Sequence, residues 1–240
     1  MLEGRLASSP DSIGVVWINL DLPAKDVDEL RFHLSADERK RILRLSTRLQ
    51  QHRAIVRFAR RRQVIAEICG VKARDVIWES DSQGRPIIVS PRGRSLEFST
   101  SHYADISLIA VSQGKRVGVD VEALSEIPDA PRFISWVASK SEVEKISELP
   151  HAEQQIGKLR LWTRKEAYLK ATGEGIGGGI KHLEVPLVAD PWNLSFTPFP
   201  GSPEWTLYGL ACPRRGLEAA MVMPKVDGDV TNPEIIITHL

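Results

Sequence analysis

Cysteine is nearly absent: Cys69 and Cys212 are the only two, and they form neither a redox pair motif nor a metal-ligand spacing. Their scarcity excludes a disulfide-stapled scaffold and a thiolate zinc site. Two reduced, structural cysteines in a reducing compartment are expected, with a single disulfide between them left open. Aromatic residues make up only 6% of the chain. No apolar run approaches the ~20 residues that span a bilayer. The N-terminal MLEGRLASSPDS has no apolar signal core, so the expected location is cytoplasmic, with no membrane partner. Charge of one sign is missing too: 32 Lys and Arg face 31 Asp and Glu, for a net charge of +1. Such a balance gives no global field for nucleic acid or anionic lipid. What is present is 240 residues, 42% hydrophobic and 26% charged, enough for one large domain or two small ones with real cores.

Gly14 to Leu20 (GVVWINL) reads as a strand, being rich in β-branched and aromatic side chains. Ser35-Ala36-Asp37-Glu38 is a capping box that starts a helix. A second helix is expected from Gln51 to Cys69, with Ile55, Phe58, Ala59, Ile65 and Ile68 on its apolar side and Gly70 as its stop. Short strand-like runs follow at Val76–Glu79, Pro86–Val89, Leu96–Ser99, Ile106–Val111 and Val117–Val121, separated by turn residues. A helix from about Ala130 to Leu149 is then expected, with Ser141 and Glu144 as a capping box. Another runs from His151 to Thr172 and ends at Gly173. After the glycine-rich Gly175–Gly179 turn, strands are expected near Leu183–Val188, Trp205–Leu210 and Ala219–Met223. Strand, helices and a strand group thus occur once before about residue 115 and once after it. No sequence repeat accompanies this pattern, so the expected class is α+β.

Three segments carry chemistry. In Gly118-Val119-Asp120-Val121-Glu122, strand alternation puts both carboxylates on one face and the valines on the other. Paired carboxylates suit a magnesium ion, which takes a few oxygens and completes its shell with water and phosphate. A solvated acidic strand face is the equally open alternative. In Trp162-Thr163-Arg164-Lys165-Glu166-Ala167-Tyr168-Leu169-Lys170, helical steps of four align Trp162, Glu166 and Lys170. Glu166 could hold a metal while Lys165 and Lys170 hold phosphate oxygens, or Glu166 and Lys170 could form an ordinary surface pair. In Phe98-Ser99-Thr100-Ser101-His102-Tyr103, a histidine sits among hydroxyls in an expected turn, able to meet an anion. Separately, Arg39, Lys40, Arg41, Arg44, Arg48, Arg53, Arg57, Arg60, Arg61 and Arg62 crowd the first two helices, with Glu38 as the nearby acid. That surface suits a solvated face, nucleic acid or a compact polyanion, and the near-neutral total charge favours the compact polyanion over nucleic acid.

In this order, FSTSHYAD, GVDVE and WTRKEAYLKATGEGI resemble the motifs of the surfactin-type phosphopantetheinyl transferases. That family carries a serine-histidine turn, a G-[IV]-D-[IV]-E strand and a W-[ST]-x-K-E-[AS]-x-x-K helix. Gly84-Arg85-Pro86 matches its G-[KR]-P element, and the likeness spans roughly Ser35 to Ile180. The resemblance implies two similar α/β halves with antiparallel sheets and packed helices, related by a pseudo-twofold. Residues 1–115 would be the coenzyme A-binding half and 116–240 would carry most of the magnesium site. It implies Asp120, Glu122 and Glu166 as ligands of Mg2+, for which Mn2+ could substitute. Arg41, Arg53, Arg85, Ser101, His102, Lys165 and Lys170 would contact coenzyme A. His102 would meet the 3′-phosphate, Lys170 would reach the pyrophosphate, and Glu166 would be the base. The implied reaction moves phosphopantetheine onto a serine of an apo acyl, polyketide or peptidyl carrier protein, the enzyme acting as a monomer. A non-catalytic module binding coenzyme A or nucleic acid is the competing reading. Arg44-Leu45-Ser46 and Tyr103 depart from the family pattern, which leaves the N-terminal contacts least defined.

Overall fold

The structure, a computed structural model, describes residues 12–82, 85–91, 95–126, 131–175, 177, 179–225 and 235–240. Gly84 of the Gly84-Arg85-Pro86 element, Ala130 at an expected helix start, and Ile176 and Gly178 of the glycine-rich turn lie outside the described residues, as does the N-terminal stretch 1–11. The chain divides into two compact units. The first holds the chain up to Phe98, then Ala104–Gly114 and the C-terminal strand; the second holds Ser99–Tyr103 and the chain from Lys115 up to that last strand. A single cut at residue 115 is therefore crossed twice, by Ser99–Tyr103 and by the C-terminal strand.

In the first unit, β1 (Ile13–Asn19) leads to α1 (Ala24–Leu30), α2 (Ala36–Leu43) and α3 (Arg48–Cys69). The hairpin β2 (Ile77–Ser80) and β3 (Pro86–Ser90) is followed by β4 (Leu96–Tyr103), β5 (Ile106–Gln113) and, at the C-terminus, β10 (Ile235–His239). The sheet order is β10-β1-β5-β4. β1 is antiparallel to β5 but parallel to β10, so this sheet is mixed where antiparallel pairing was expected. A parallel neighbour needs a long crossover, and here the entire second unit intervenes between β1 and β10. α3 buries Ile55, Ala59, Ile65 and Ile68 against Val16, Ile18, Ile109 and Val111. Each buried isoleucine contributes about 1.5–3 kcal/mol. The helix starts three residues earlier than its apolar pattern indicates, because Thr47 and Gln50 close a capping box ahead of it.

In the second unit, β6 (Gly118–Ala123) precedes α4 (Pro131–Val137), α5 (Lys140–Glu148) and α6 (His151–Thr172). The strands β7 (Leu194–Phe196), β8 (Trp205–Gly209) and β9 (Leu217–Pro224) complete an antiparallel sheet in the order β6-β9-β8-β7. The single helix expected over 130–149 is two, and the capping box is Ser139 with Glu142 instead of Ser141 with Glu144. Leu183–Val188, expected as a strand, is irregular. Leu183 and Val185 are buried, but the polar groups of this segment bond to scattered partners instead of a ladder: Leu183 N donates to Gly179 O (3.2 Å) and Glu184 N to Pro198 O (3.0 Å). Val185 N donates to Glu142 Oε1 (3.0 Å), and Val188 O accepts from Arg164 (2.8 Å).

Among the described residues, each unit contains an ion pair with both side chains buried, and the two are built alike. Arg62 lies fourteen residues after the start of α3 and eight before its left-handed glycine, Gly70; Lys165 lies fourteen after the start of α6 and eight before Gly173. Each pairs with the glutamate of the capping box on the preceding helix. Arg62 Nε donates to Glu38 Oε2 (2.6 Å), and Lys165 Nζ donates to Glu142 Oε2 (2.6 Å). Arg62 also donates to the carbonyls of Ala73 and Val76, and Lys165 to those of Val137 and Ile180. Both partners of the second pair are fully buried. All three ammonium protons and both carboxylate oxygens are used, which is the condition under which a buried pair is tolerated.

Lys165→Met should therefore lower the unfolding free energy by about 3–5 kcal/mol, because Glu142 is left buried without its cation. Urea denaturation measures this, and a loss under ~1 kcal/mol would contradict the role given to the pair.

Candidate active site

β6 runs along the edge of its sheet and lies directly under α6. Its first residue is glycine by necessity: a methyl on Gly118 would overlap the Ala167 carbonyl and the Ala171 amide of α6. This close approach brings Asp120, two residues on, to the lysine and glutamate of the helix. The open edge of β6 meets the end of β4, which continues as strand through Tyr103, four residues past its expected end at Ser99. The turn falls at Ala104, in the left-handed region (φ 49°). Because β4 is extended, Ser99 and Ser101 face the same way. The Ser99 hydroxyl accepts from Val119 N (3.1 Å), and the Ser101 hydroxyl donates to Asp120 Oδ1 (2.7 Å).

Asp120 is buried, 1% exposed, so the solvated-face alternative does not hold for it. Lys170 Nζ donates to Asp120 Oδ1 (2.6 Å) and to Ser101 Oγ (3.2 Å). Lys170 thus reaches across to the strand, where an ordinary surface pair along the helix with Glu166 had been the alternative. Trp162 Nε1 donates to Glu122 Oε1 (3.3 Å), and its ring packs on Phe133 (5.4 Å) and Trp136 (6.1 Å between centroids). Burial, then the charge of Asp120, pushes the Glu122 carboxyl up to about 7. Burial and Asp120 push Glu166 up as well, against the pull of Lys170. Three carboxyl groups therefore share one ammonium.

Two oxygens in this cluster, Asp120 Oδ2 and Glu166 Oε1, are buried with no hydrogen-bond partner. Buried acceptors of this kind are costly unless something fills them. Among the described residues, no three His, Cys, Asp or Glu side chains are arranged to hold a metal ion as they stand. Lys170 occupies the cationic position on Asp120 instead. The unused oxygens and the excess negative charge fit a hard divalent cation.

The structure brings together Ser101, Asp120, Glu122, Glu166 and Lys170. Ser101, expected at a phosphate, is buried and spends its hydroxyl proton on Asp120. His102 alternates to the other side of β4 and is exposed. Lys165 is a correction: it is the buried partner of Glu142 and has no proton left for a phosphate. Arg41, Arg53 and Arg85 belong to the first unit. Arg41 is exposed, Arg53 grips Asp21 with two bonds of 2.7 Å, and Arg85 bonds Asp81 (3.0 Å). The sequence reading missed Ser99 as the edge partner of β6 and Trp162 as the donor to Glu122. Alternation through Ser99 and Ser101 was the available signal for the first.

A profile of the 4'-phosphopantetheinyl transferase superfamily matches residues 116–213, which include both β6 and α6. The chain is 30% identical over 202 residues to the 4'-phosphopantetheinyl transferase HetI of Nostoc sp., covering 83% of each protein. It is 26% identical over 168 residues to the 4'-phosphopantetheinyl transferase psf-1 of Bacillus pumilus, covering 69% of each. Among solved structures, a holo-(acyl-carrier-protein) synthase from Bacillus anthracis str. Ames, in complex with CoA (3',5'-ADP), aligns with a TM-score of 0.33 at 22% identity, over 42% of this chain and 92% of that one.

The raised Glu122 carboxyl makes stability depend on pH. Folded, it holds its proton to about pH 7; unfolded, it releases it near its ordinary 4.5. The folded state binds the extra proton between those values, so this contribution is complete below about 4.5 and is lost as pH rises through about 7. Urea midpoints measured from pH 4.5 to 8 should decline across that window. Glu122→Gln should remove part of the decline, and an unchanged slope in the variant would contradict the assignment.

Proposed function

Because this chain belongs to the 4'-phosphopantetheinyl transferase family, we propose that it moves the phosphopantetheine arm of coenzyme A onto a serine hydroxyl of an apo acyl, polyketide or peptidyl carrier protein, releasing 3′,5′-ADP. The observation that carries this reading is the acid cluster itself: buried Asp120 with half-buried Glu122 and Glu166 around one lysine, and two buried carboxylate oxygens without a partner. A non-catalytic binding module would have no use for so costly an arrangement.

Phosphoryl transfer asks a protein for position and charge neutralisation more than for covalent help. Asp120, Glu122 and Glu166 would hold Mg2+, with Mn2+ as a substitute. When bound, the ion would neutralise pyrophosphate charge and polarise a phosphoryl oxygen. Lys170 is the one ammonium of the cluster and would donate to the oxygens on which charge builds as the bond to ADP breaks. Ser101 would keep Asp120 oriented while Lys170 turns to the substrate. Glu166 would take the proton of the carrier serine as its oxygen bonds to phosphorus, and burial favours that role by raising its affinity for a proton. His102, exposed beside Ser101, would meet the 3′-phosphate. The enzyme would act as a monomer.

Intact-mass spectrometry of apo carrier proteins incubated with this protein, coenzyme A and magnesium tests the reading. A mass gain of one phosphopantetheine is expected on at least one of the acyl, polyketide and peptidyl carriers. No gain on any of them rejects the function. Asp120→Ala and Glu166→Ala should slow transfer by at least ~100-fold, the scale of losing an electrostatic stabiliser, with circular dichroism unchanged. Full activity in either variant would move the site elsewhere.

A further inference from the structure

The arginine-rich face of α3 is not used by the acid cluster, and its charges do not balance. Arg57, Arg60 and Arg61 lie within one turn of that helix. Arg61 stacks over Trp78 (4.3 Å) and Phe58 (5.2 Å), and Arg57 stacks over Phe58 (4.9 Å). Glu38 is the carboxylate in contact with this group, and it is shared between Arg61 (3.0 Å) and the buried Arg62 (2.6 Å). Arg60 donates to the uncharged Gln63. Among the described residues, no hydrogen bond or ion pair holds the Arg57 guanidinium. The Nε groups of Arg60 and Arg61 are buried without an acceptor. Burial and the neighbouring Arg61 push Arg57 down to about 10, and burial with Arg60 lowers His33. Among the described residues, the field is thus one of cations in excess of their one carboxylate, packed against aromatic rings.

The second unit supplies an internal control. Counting from the helix starts, Arg57 and Arg61 of α3 correspond to Arg160 and Arg164 of α6. There the same positions are provided for. Arg160 bonds the Glu218 carboxylate (3.2 Å), and Arg164 bonds the carbonyls of Pro186 and Val188. In the first unit no such acceptors accompany Arg57, so an acceptor is missing at a position where the protein's own architecture elsewhere supplies one. A half-buried guanidinium with no protein acceptor is left open to an external anion, and the buried Nε groups of Arg60 and Arg61 beside it lack acceptors as well.

We propose that the Arg57–Arg60–Arg61 face of α3 binds a phosphate-class dianion. Planar guanidinium forks match phosphate oxygens two at a time, and several cations against one carboxylate call for more than a single negative charge. The dianion is either a phosphate of coenzyme A or a phosphate independent of it. The inference stands on the first unit alone and does not depend on the acid cluster.

Thermal unfolding of the full chain in sodium phosphate, against sodium chloride of equal ionic strength, tests it. Saturating phosphate should raise Tm by about 5 °C. Arg57→Gln and Arg60→Gln should lose that rise, while Arg74→Gln, at an exposed arginine of the same unit, should keep it. In chloride, Arg57→Gln should melt no lower than wild type, since it removes a desolvated charge. Coenzyme A that abolishes the phosphate increment identifies the coenzyme as the source; an additive rise identifies a separate phosphate. Equal melting in phosphate and chloride overturns the site, as does a phosphate response retained in Arg57→Gln. A drop of more than ~5 °C for that variant in chloride would assign Arg57 to packing and overturn it too. Carrier modification is not measured here, so failure of this site and failure of the transferase reading are separate results.

Discussion

The buried pair of Glu142 and Lys165 is the constraint around which the second unit is organised. One ammonium holds the end of α4 through Val137, the capping glutamate of α5 and the chain after α6 through Ile180. The same glutamate holds Ser139 at the cap and Val185 in an otherwise irregular segment. Removing either charge leaves the other desolvated, so these segments are fixed together or not at all. The next residue along α6 is Glu166. A helix whose rotation is set by Lys165 has the direction of Glu166 set as well, and Lys170 follows one turn later on the same face. The buried cation therefore sets the direction of Glu166 and Lys170 while itself bonding only to Glu142 and two backbone carbonyls.

The first unit shows the same device without the same chemistry. Glu38 and Arg62 repeat the capping-box pairing at matching positions. The residue after Arg62 is Gln63, where α6 has Glu166, and the residue matching Lys170 is Glu67. One helical frame thus serves two ends. In the second unit it aims acids at a strand carrying Asp120 and Glu122; in the first it carries arginines stacked on Phe58 and Trp78. The similarity of the halves lies in how each long helix is locked, and the difference lies in what each exposes.

Much of this was legible in sequence because it is local. The capping box at Ser35, the stops at Gly70 and Gly173, and α6 from His151 to Thr172 follow from short-range rules. So does the alternation that aligns Asp120 with Glu122. What was not legible depends on partners far along the chain. Lys165 and Lys170 look equivalent in WTRKEAYLK, yet one is sealed against Glu142 and the other reaches Asp120. Leu183–Val188 has strand composition, but its amide and carbonyl groups go to the scattered partners Gly179, Pro198, Glu142 and Arg164. β10 pairs with β1 across almost the whole chain length, which no local pattern announces. The Thr47–Gln50 capping box, by contrast, was readable and marks the true start of α3.

The cluster under α6 also shows how one buried and two half-buried acids can stand side by side. Lys170 offsets Asp120 directly, through a 2.6 Å contact. Trp162 donates to Glu122, whose carboxyl stays protonated up to about pH 7 and so avoids adding full charge beside Asp120. Glu166 is pushed in the same direction by burial and by Asp120. The resting site thus limits repulsion by two means, an internal cation and the proton held by Glu122. Both are reversible: the ammonium can exchange Asp120 for another anion, and the proton can leave when positive charge replaces it. A fixed arginine at position 170 would hold Asp120 with a bidentate grip and a charge that cannot be withdrawn. Lysine, a flexible point charge, leaves the cluster able to change partners.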